Sequence, residues 1–523
     1  MRSIAGPARP WLAGGFVLVA AAVTIGCGNK YRPVVNPVQP TGPAGTAAGG
    51  YAMVLTQPAL RTAASATNPC PTPLAAPTAG NPSATTLYAQ PSIATVIDFS
   101  GDSILAQAAA GYGPLTTAIS PDTNEVYSLN CDGTISGIPL TSTLQANNIS
   151  TTTLFAAPTT TTGGVTTLGA AYVESNLLVQ NAAIYTVDKD RSPNSVGALN
   201  AGSPPALLQE IPVAPAVVAL AGSPSSQRVY AISQGADGNN VTWGQCADPT
   251  SVTTNGQVDG IDTATNAVSS RIPVGTCPVF GLTSPDGLRT FILNRGSGTV
   301  SVINAQQDTL DTSFTSNSGQ PGTIQVGAGP VYAAYYPATS LLVTANYDSG
   351  TITFISVPVD AFGNDAAGFG TVLKTVSVGS YPAALSILGD GSRVYVVLQG
   401  DPTNATASGA IAIVNATSFN LQNTIAVPGH PRVIASTYNN PEGKVYTVAP
   451  DSETLTILRT DTDTISAQLA LPGCGVDVHT NYQYVGQSTI AGNAVTANTI
   501  VNMSNSPGSG APTTPFVCTT TSQ

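Results

Sequence analysis

A spacing of about fifty residues constrains this chain more than any other feature. Gly113-Pro114, Ala214-Pro215, Cys277-Pro278, Gly329-Pro330, Tyr381-Pro382 and His430-Pro431 recur with gaps of 101, 63, 52, 52 and 49 residues between the prolines. The longest gap holds two periods, with Gly163-Gly164-Val165 where the missing start is expected. Within each period the same order returns. An apolar run after the proline ("PVFGLTS", "PAALSIL") meets a turn such as "SPDG" or "LGDG". A run rich in Val, Tyr and Leu follows ("EVYSLN", "RVYAIS", "RTFILN", "RVYVVL", "KVYTVA"), then a polar loop. An alternating run (Thr299 to Ile303) and a last run ending in "IPVG", "IQVG" or "VSVG" complete the unit.

Alternation with period two, β-branched residues and Gly/Asp turns specify strands and hairpins. No segment carries a sustained 3.6-residue pattern with caps, so very little helix is expected. Four antiparallel strands per unit, repeated, predict an all-β chain forming a single β-propeller of four-stranded blades. The repetition has a physical cause: one four-stranded sheet cannot cover both of its apolar faces, whereas a neighbouring blade can.

Residues 284–329, with "SPDG", "TFILNRGSGTVSVINAQQDTL" and "IQVGAGP", resemble the YVTN repeat of YncE-like β-propellers. The likeness is close at Phe291–Ile303 and Leu342–Ile355, and looser at Glu125–Ile138 and Leu177–Val187; it covers roughly residues 90–475. Seven complete units start near residues 114, 165, 215, 278, 330, 382 and 431. Because such relatives are mostly seven-bladed, the resemblance favours seven blades. The segment Ala94–Pro114, however, reads as the last two strands of a unit lacking its first two. If Val476–Met503 supplies those, the chain ends form a composite blade and the count becomes eight; pairing the two ends removes exposed edges.

The N-terminus carries an address. Arg2 and Arg9 precede the uncharged apolar stretch Trp11–Ile25, and "TIGC" places Gly26 before Cys27. This is a secretory signal pattern, and its end resembles the lipobox of bacterial lipoproteins, with Thr24 where the family usually has Leu. The resemblance implies cleavage before Cys27, lipidation of that residue, and, with Gly28 rather than Asp next, sorting to the outer membrane. A retained transmembrane helix is disfavoured, since the stretch falls short of the ~20 apolar residues a bilayer needs. The expected organisation is a lipoprotein signal peptide at 1–26, the lipidated cysteine with a Pro/Gly-rich tether at 27–50, a propeller at 51–503 with its clearest repeats at 90–475, and a flexible tail at 504–523.

Charged residues are only 8% of the 523, against roughly a quarter in an ordinary soluble domain. The net charge is -11, without a basic stripe, which disfavours nucleic acid as a partner. Beyond Cys27, six cysteines remain: Cys70, Cys131, Cys246, Cys277, Cys474 and Cys518. An even number in an exported chain suggests disulfides. Cys246 with Cys277, flanking the longest insertion, is the favoured pair, followed by Cys474 with Cys518; whether Cys70 pairs with Cys131 stays open.

The search for chemistry is mostly negative. Two histidines, His430 and His479, leave no room for a multi-histidine metal site, and no nucleotide, hydrolase or metalloprotease motif occurs. Asp461 with Asp463, and Asp188 with Asp190, could offer oxygens to Ca²⁺ but lack further ligands. No metal and no cofactor is expected. In a propeller the loop joining strands two and three shares a side with the loop joining successive blades. That rule gathers Tyr112, Asn130, Trp243, Asn294, Arg295, Asn346, Tyr347, Tyr381, Gln399, His430 and Arg432 on one candidate ligand face, rich in adaptable recognition residues. The function expected is therefore an envelope-anchored, monomeric binding or scaffold module for a protein or glycan, without catalysis. The alternative is a lactonase-like or amine-dehydrogenase-subunit-like enzyme, with His430 as general base and Arg432 as anion holder at the channel mouth.

Overall fold

The computed structural model describes residues 50–58 and 91–481 apart from short stretches within 121–242, Gly244, and residues 243, 316, 405 and 438–442, together with two short strands at Ser488–Ile490 and Asn493–Val495. The segments expected to be a signal peptide (1–26), a tether from Cys27 and a tail (504–523) lie outside the described residues, as do Cys70, Cys131, Cys518 and Trp243.

Eight four-stranded antiparallel blades follow one another. Blade 2 consists of Pro114–Ile119, Glu125–Asn130, Thr134–Pro139 and Ser150–Thr153. Blade 3 has Glu174–Gln180, Ala183–Asp188, Ser195–Asn200 and Ala206–Pro212; blade 4 has Val217–Gly222, Arg228–Ser233, Asn255–Asp262 and Ala267–Thr276. Blade 5 has Pro278–Thr283, Arg289–Asn294 and Thr299–Asn304, its outer position shared by the short Thr309–Leu310 and Thr323–Gln325. Blade 6 has Pro330–Tyr336, Leu341–Asn346, Thr351–Ser356 and Thr371–Ser377; blade 7 has Pro382–Ile387, Arg393–Leu398, Gly409–Asn415 and Leu421–Val427. Blade 8 has Val433–Ser436, Lys444–Val448, Thr454–Arg459 and Thr464–Ala470. Each first strand packs on the next, and the circle closes when Val433–Ser436 meets Cys474–Thr480, which in turn meets Pro114–Ile119. The apolar clusters cross blade boundaries accordingly, one running from Phe280 to Leu458, which is the mutual burial the repeat demands.

Blade 1 corrects the favoured count of seven: the chain ends do form a composite blade. Its strands, from the axis outward, are Cys474–Thr480, Tyr51–Gln57, Ile93–Asp98 and Ser103–Ala109. The C-terminal part contributes one strand, not two. The second is Tyr51–Gln57, paired on both sides with Met53 opposite Val96 and His479. It follows none of the unit's grammar and stands 35 residues ahead of its hairpin partner, so nothing local announced it. The unit start at Val165 also needs correction. Val165–Leu168 pairs with Thr159–Thr162 in a separate hairpin, and blade 3 begins at Glu174. Among the described residues the only helical elements are three single 3₁₀ turns, and none is long and apolar enough to cross a membrane.

The side carrying the turns between strands three and four is latched from blade to blade. The turn residue adopts a left-handed conformation and receives side chains from the preceding blade, mostly from its second strand. Arg228 of blade 4 holds Asp308 of blade 5 at 3.3 Å, with Tyr230 facing the same carboxylate. Arg393 and Tyr395 of blade 7 hold Asp463 of blade 8, and Lys444 of blade 8 holds Asp102 of blade 1. Tyr185 of blade 3 donates to Asn266 of blade 4 at 3.1 Å. Between blades 6 and 7 the latch is apolar, Phe354 against Phe419 with ring centroids 4.8 Å apart. The "RVY" and "KVY" strands thus carry inter-blade clamps besides their sheet pairing. Asp463 is committed to such a clamp and Asp461 pairs with Arg459, which leaves neither free for the Ca²⁺ role considered from sequence.

Candidate functional site

On the opposite side, the second strands of blades 2, 5 and 6 end in an asparagine peg. Asn294 Nδ2 donates to Thr299 Oγ1 (3.1 Å) and Ser301 Oγ (2.9 Å). Asn346 repeats this with Thr351 and Thr353 (3.1 and 2.9 Å), and Asn130 with Thr134 and Ser136 (both 3.0 Å). All three asparagines are buried. The glycine three residues before Pro114, Pro278 and Pro330 lies against the peg of the blade it enters: a Cβ on Gly111, Gly275 or Gly327 would stand within 2.7 Å of Asn130, Asn294 or Asn346. The "VG" strand end therefore answers a steric demand. These three asparagines hold hairpins together.

The residue after the second strand occupies one equivalent backbone place in successive blades. Its amide donates to the carbonyl of a left-handed residue in the blade's lead-in: Gln234 to Ala216, Arg295 to Cys277, Tyr347 to Gly329 and Gln399 to Tyr381, at 2.7–2.9 Å. The backbone repeats and the side chains do not. There the structure brings several candidates together. Arg295 forks Asp348 (Nε–Oδ2 3.1 Å, Nη2–Oδ1 2.9 Å) and lies 5.8 Å from the Tyr347 ring centroid. The buried Tyr347 hydroxyl donates to Gln399 Oε1 at 2.8 Å, and the Tyr347 and Tyr381 centroids are 5.0 Å apart. Burial, against the opposing pull of Arg432 and Arg295, pushes the Tyr347 hydroxyl up to about 12. Burial lowers the pKa of Arg432, while Tyr347 and Asp477 oppose that shift; the guanidinium thus lies within electrostatic reach of both. Gln234 belongs to the same set of positions and went unnoticed in the sequence, because its turn, "SQGADG", does not resemble its counterparts.

The remaining candidates stand apart. Tyr112 is exposed on the link into blade 2. His430 is buried beneath Asp451, which takes the His430 backbone amide (2.8 Å) and sits 2.6 Å from Nδ1. Cys246 and Cys277 form the favoured disulfide, with Cα atoms 5.6 Å apart. Cys474 is also disulfide-bonded; Cys518, its expected partner, lies outside the described residues.

One polar cluster on the inner strands was not expected. Thr117 of blade 2 donates to Asp477 Oδ2 at 2.6 Å and lies 2.5 Å from His479 Nε2, both on blade 1. All three side chains are buried. Since the Thr117 proton goes to Asp477, the short contact requires His479 to donate through Nε2. The alternation in "GVDVHT" sets Asp477 and His479 on one strand face; that placement was readable, but Thr117 across the ring closure was not. Among the described residues no group of three His, Cys, Asp or Glu side chains is placed to hold a metal ion.

No known family profile matches this chain, and no curated protein matches it in sequence. Solved structures do resemble it. Apo AztD from Citrobacter koseri is similar at a TM-score of 0.50 with 11% identity, covering 83% of this chain and 98% of that one. Dihydro-heme d1 dehydrogenase NirN, in complex with DHE, is similar at 0.51 with 13% identity, covering 82% and 79% respectively. At such identities the likeness is one of fold, and the fold this chain shares with them is the β-propeller.

Proposed function

We propose that this chain is a lipid-anchored cell-envelope protein of YncE-like type, whose propeller binds a protein or glycan partner and performs no catalysis. The observation that carries the reading is the non-repeating cluster on the face of the strand 2–3 loops: Arg295, Tyr347, Tyr381 and Gln399, drawn from three successive blades, with Arg432 near Tyr347. Identical backbone places there carry different side chains, as recognition requires and architecture does not. Lipid attachment at Cys27 would moor a monomeric ring to the outer membrane through a proline-rich tether. Two experiments test it. The full-length chain expressed with a labelled fatty acid should carry label that Cys27→Ala abolishes. Bait protein should capture an envelope protein or glycan that Arg295→Ala/Tyr381→Ala bait does not; equal capture by both would remove the site from the proposal.

The enzymatic alternative keeps one supporting observation. His430 Nδ1 stands 2.6 Å from Asp451 Oδ2, the arrangement that orients a general base. On this reading His430→Ala and Arg432→Ala would each abolish turnover of a lactone or amine. Unchanged turnover, or none in the parent protein, ends it.

A further inference from the structure

We infer that the Cys246–Cys277 disulfide is a positioning brace for the aromatic cluster on the proposed recognition face, acting through Arg295. The insertion of blade 4 carries two short 3₁₀ turns, Gln245–Ala247 and Pro249–Ser251, in which Asp248 accepts from Thr250 and Ser251 donates to the Gln245 and Asp248 carbonyls. One tie to the ring is covalent. Cys246 bonds to Cys277, the left-handed residue that leads into blade 5. Both cysteines are buried. Cys277 also faces Arg295 directly, its carbonyl accepting the Arg295 amide at 2.9 Å. The pinned turn then presents the Cys246 and Ala247 carbonyls to Arg295 Nη1 at 3.4 and 3.5 Å.

Arg295 consequently has three neighbours on three elements. The insertion takes one end of the guanidinium, Asp348 takes the other as a two-point fork, and the Tyr347 ring lies alongside. The arginine side chain is 9% exposed against 32% for Asp348, so most of its order comes from protein contacts. Tyr347 passes that order to Gln399 and Tyr381 of blade 7. The path leads from an insertion of blade 4 through blades 5 and 6 to blade 7, and its first link is a bond that thiols can open. A dithiol supplies the two electrons and two protons: its thiolate attacks one sulfur, a mixed disulfide forms, and its second thiol closes a ring and releases both cysteines as thiols. Without the bond the turn loses its anchor and Arg295 loses two acceptors. The binding consequence rests on the function proposed above; the coupling itself does not.

Amide exchange read by mass spectrometry on the full chain tests it without any ligand. In Cys246→Ser/Cys277→Ser, or in wild type after dithiothreitol, exchange should rise in 245–251 and also, by roughly tenfold, in 346–349 and 398–400. Strands Gly409–Asn415 and Thr454–Arg459 should not change. Arg295→Gln, with the disulfide intact, should reproduce the rise at 346–349 and leave Gly409–Asn415 protected. A rise confined to 245–251 would show a merely local staple and overturn the inference, as would Arg295→Gln leaving 346–349 unaltered. If the double serine variant unfolds throughout, the Arg295→Gln result alone decides. Loss of partner capture without the exchange change would sink the coupling but leave the proposed function standing.

Discussion

The two sides of the ring differ in what repeats. On the side of the strand 3–4 turns, one chemical device recurs: a cation, a tyrosine or an aromatic ring from one blade grips a left-handed turn residue of the next. On the other side the backbone recurs, but the side chains do not; Gln234, Arg295, Tyr347 and Gln399 occupy one equivalent place. Repetition of chemistry is what a ring needs to close. Variation upon a repeated backbone is what selective binding needs. The difference separates residues that hold the architecture from residues free to specialise, and perturbing the two sides should give separable outcomes.

The harshest perturbation removes the strand on which closure depends. Deleting Tyr51–Gln57 leaves both of its pairing partners, Ile93–Asp98 and Cys474–Thr480, with exposed edges. The expected outcome is loss of a single cooperative thermal transition and rapid proteolysis at both chain ends, with both sides of the ring affected together. A retained sharp transition would mean that the seven remaining blades close without the composite one.

A smaller but still large effect is expected at the charged version of the latch. Arg289 is buried between Asp311 (Nε–Oδ2 2.7 Å) and Asp365 (Nη2–Oδ1 2.7 Å) and stacks 5.8 Å from the Phe369 centroid. Arg289→Met strands two carboxylates away from water and should cost about 3–5 kcal/mol in denaturant unfolding, while partner capture by the surviving folded protein stays intact. Loss of capture at matched folded fraction would show that the two sides are not independent.

The tyrosine latches predict a pH dependence with a definite sign. Burial and the Asp262 charge push the Tyr185 hydroxyl up to about 12, and burial together with Asp463 raises that of Tyr395 well above the ordinary 10.0. An unfolded tyrosine loses its proton near pH 10 while the folded one keeps it, so the folded state binds more protons there and stability falls as pH rises. Each such group's contribution is fully present below pH 10 and, for Tyr185, is lost as pH climbs to about 12. Tyr395→Phe should flatten that alkaline decline in chemical-denaturation curves taken from pH 9 to 12. An unchanged slope would mean that the hydroxyl is not held neutral by the fold.

The sequence could be read as far as its periodicity went. Alternating strands, turn glycines and lead-in prolines identified seven blades, because local pattern decides local structure. The eighth depended on Tyr51–Gln57, whose partners stand far away in sequence, and no local pattern encodes that pairing. The same limit divided the candidate residues. Arg295, Tyr347, Tyr381 and Gln399 could be assigned to one side from topology, and the disulfide from the two cysteines flanking an insertion. That Asn130, Asn294 and Asn346 bond inward to their own hairpins, and that His430 lies beneath Asp451, depends on side-chain direction, which a strand-end position does not reveal. The "RVY" latches were hidden for a related reason: the motif was visible, but its partner belongs to the next blade.

The finest test sets a peg against a neighbouring residue of the proposed recognition face. Asn346→Ala removes hydrogen bonds to Thr351 and Thr353 and should cost about 1–3 kcal/mol, with little change in capture once folded protein is matched. Tyr381 presents the opposite case. It is a non-glycine residue in the left-handed region, at φ 60, a conformation that costs of order 1–2 kcal/mol per residue. Tyr381→Gly relieves that strain, but gives up the tilted ring contact with Tyr347 and adds chain entropy to the unfolded state. The opposing terms should leave stability within about 1 kcal/mol of wild type, while capture of the partner falls. A tyrosine retained where glycine would serve the backbone equally well is strain kept for a purpose other than folding. A Tyr381→Gly protein that captured its partner at full strength would remove that inference and leave the residue as packing alone.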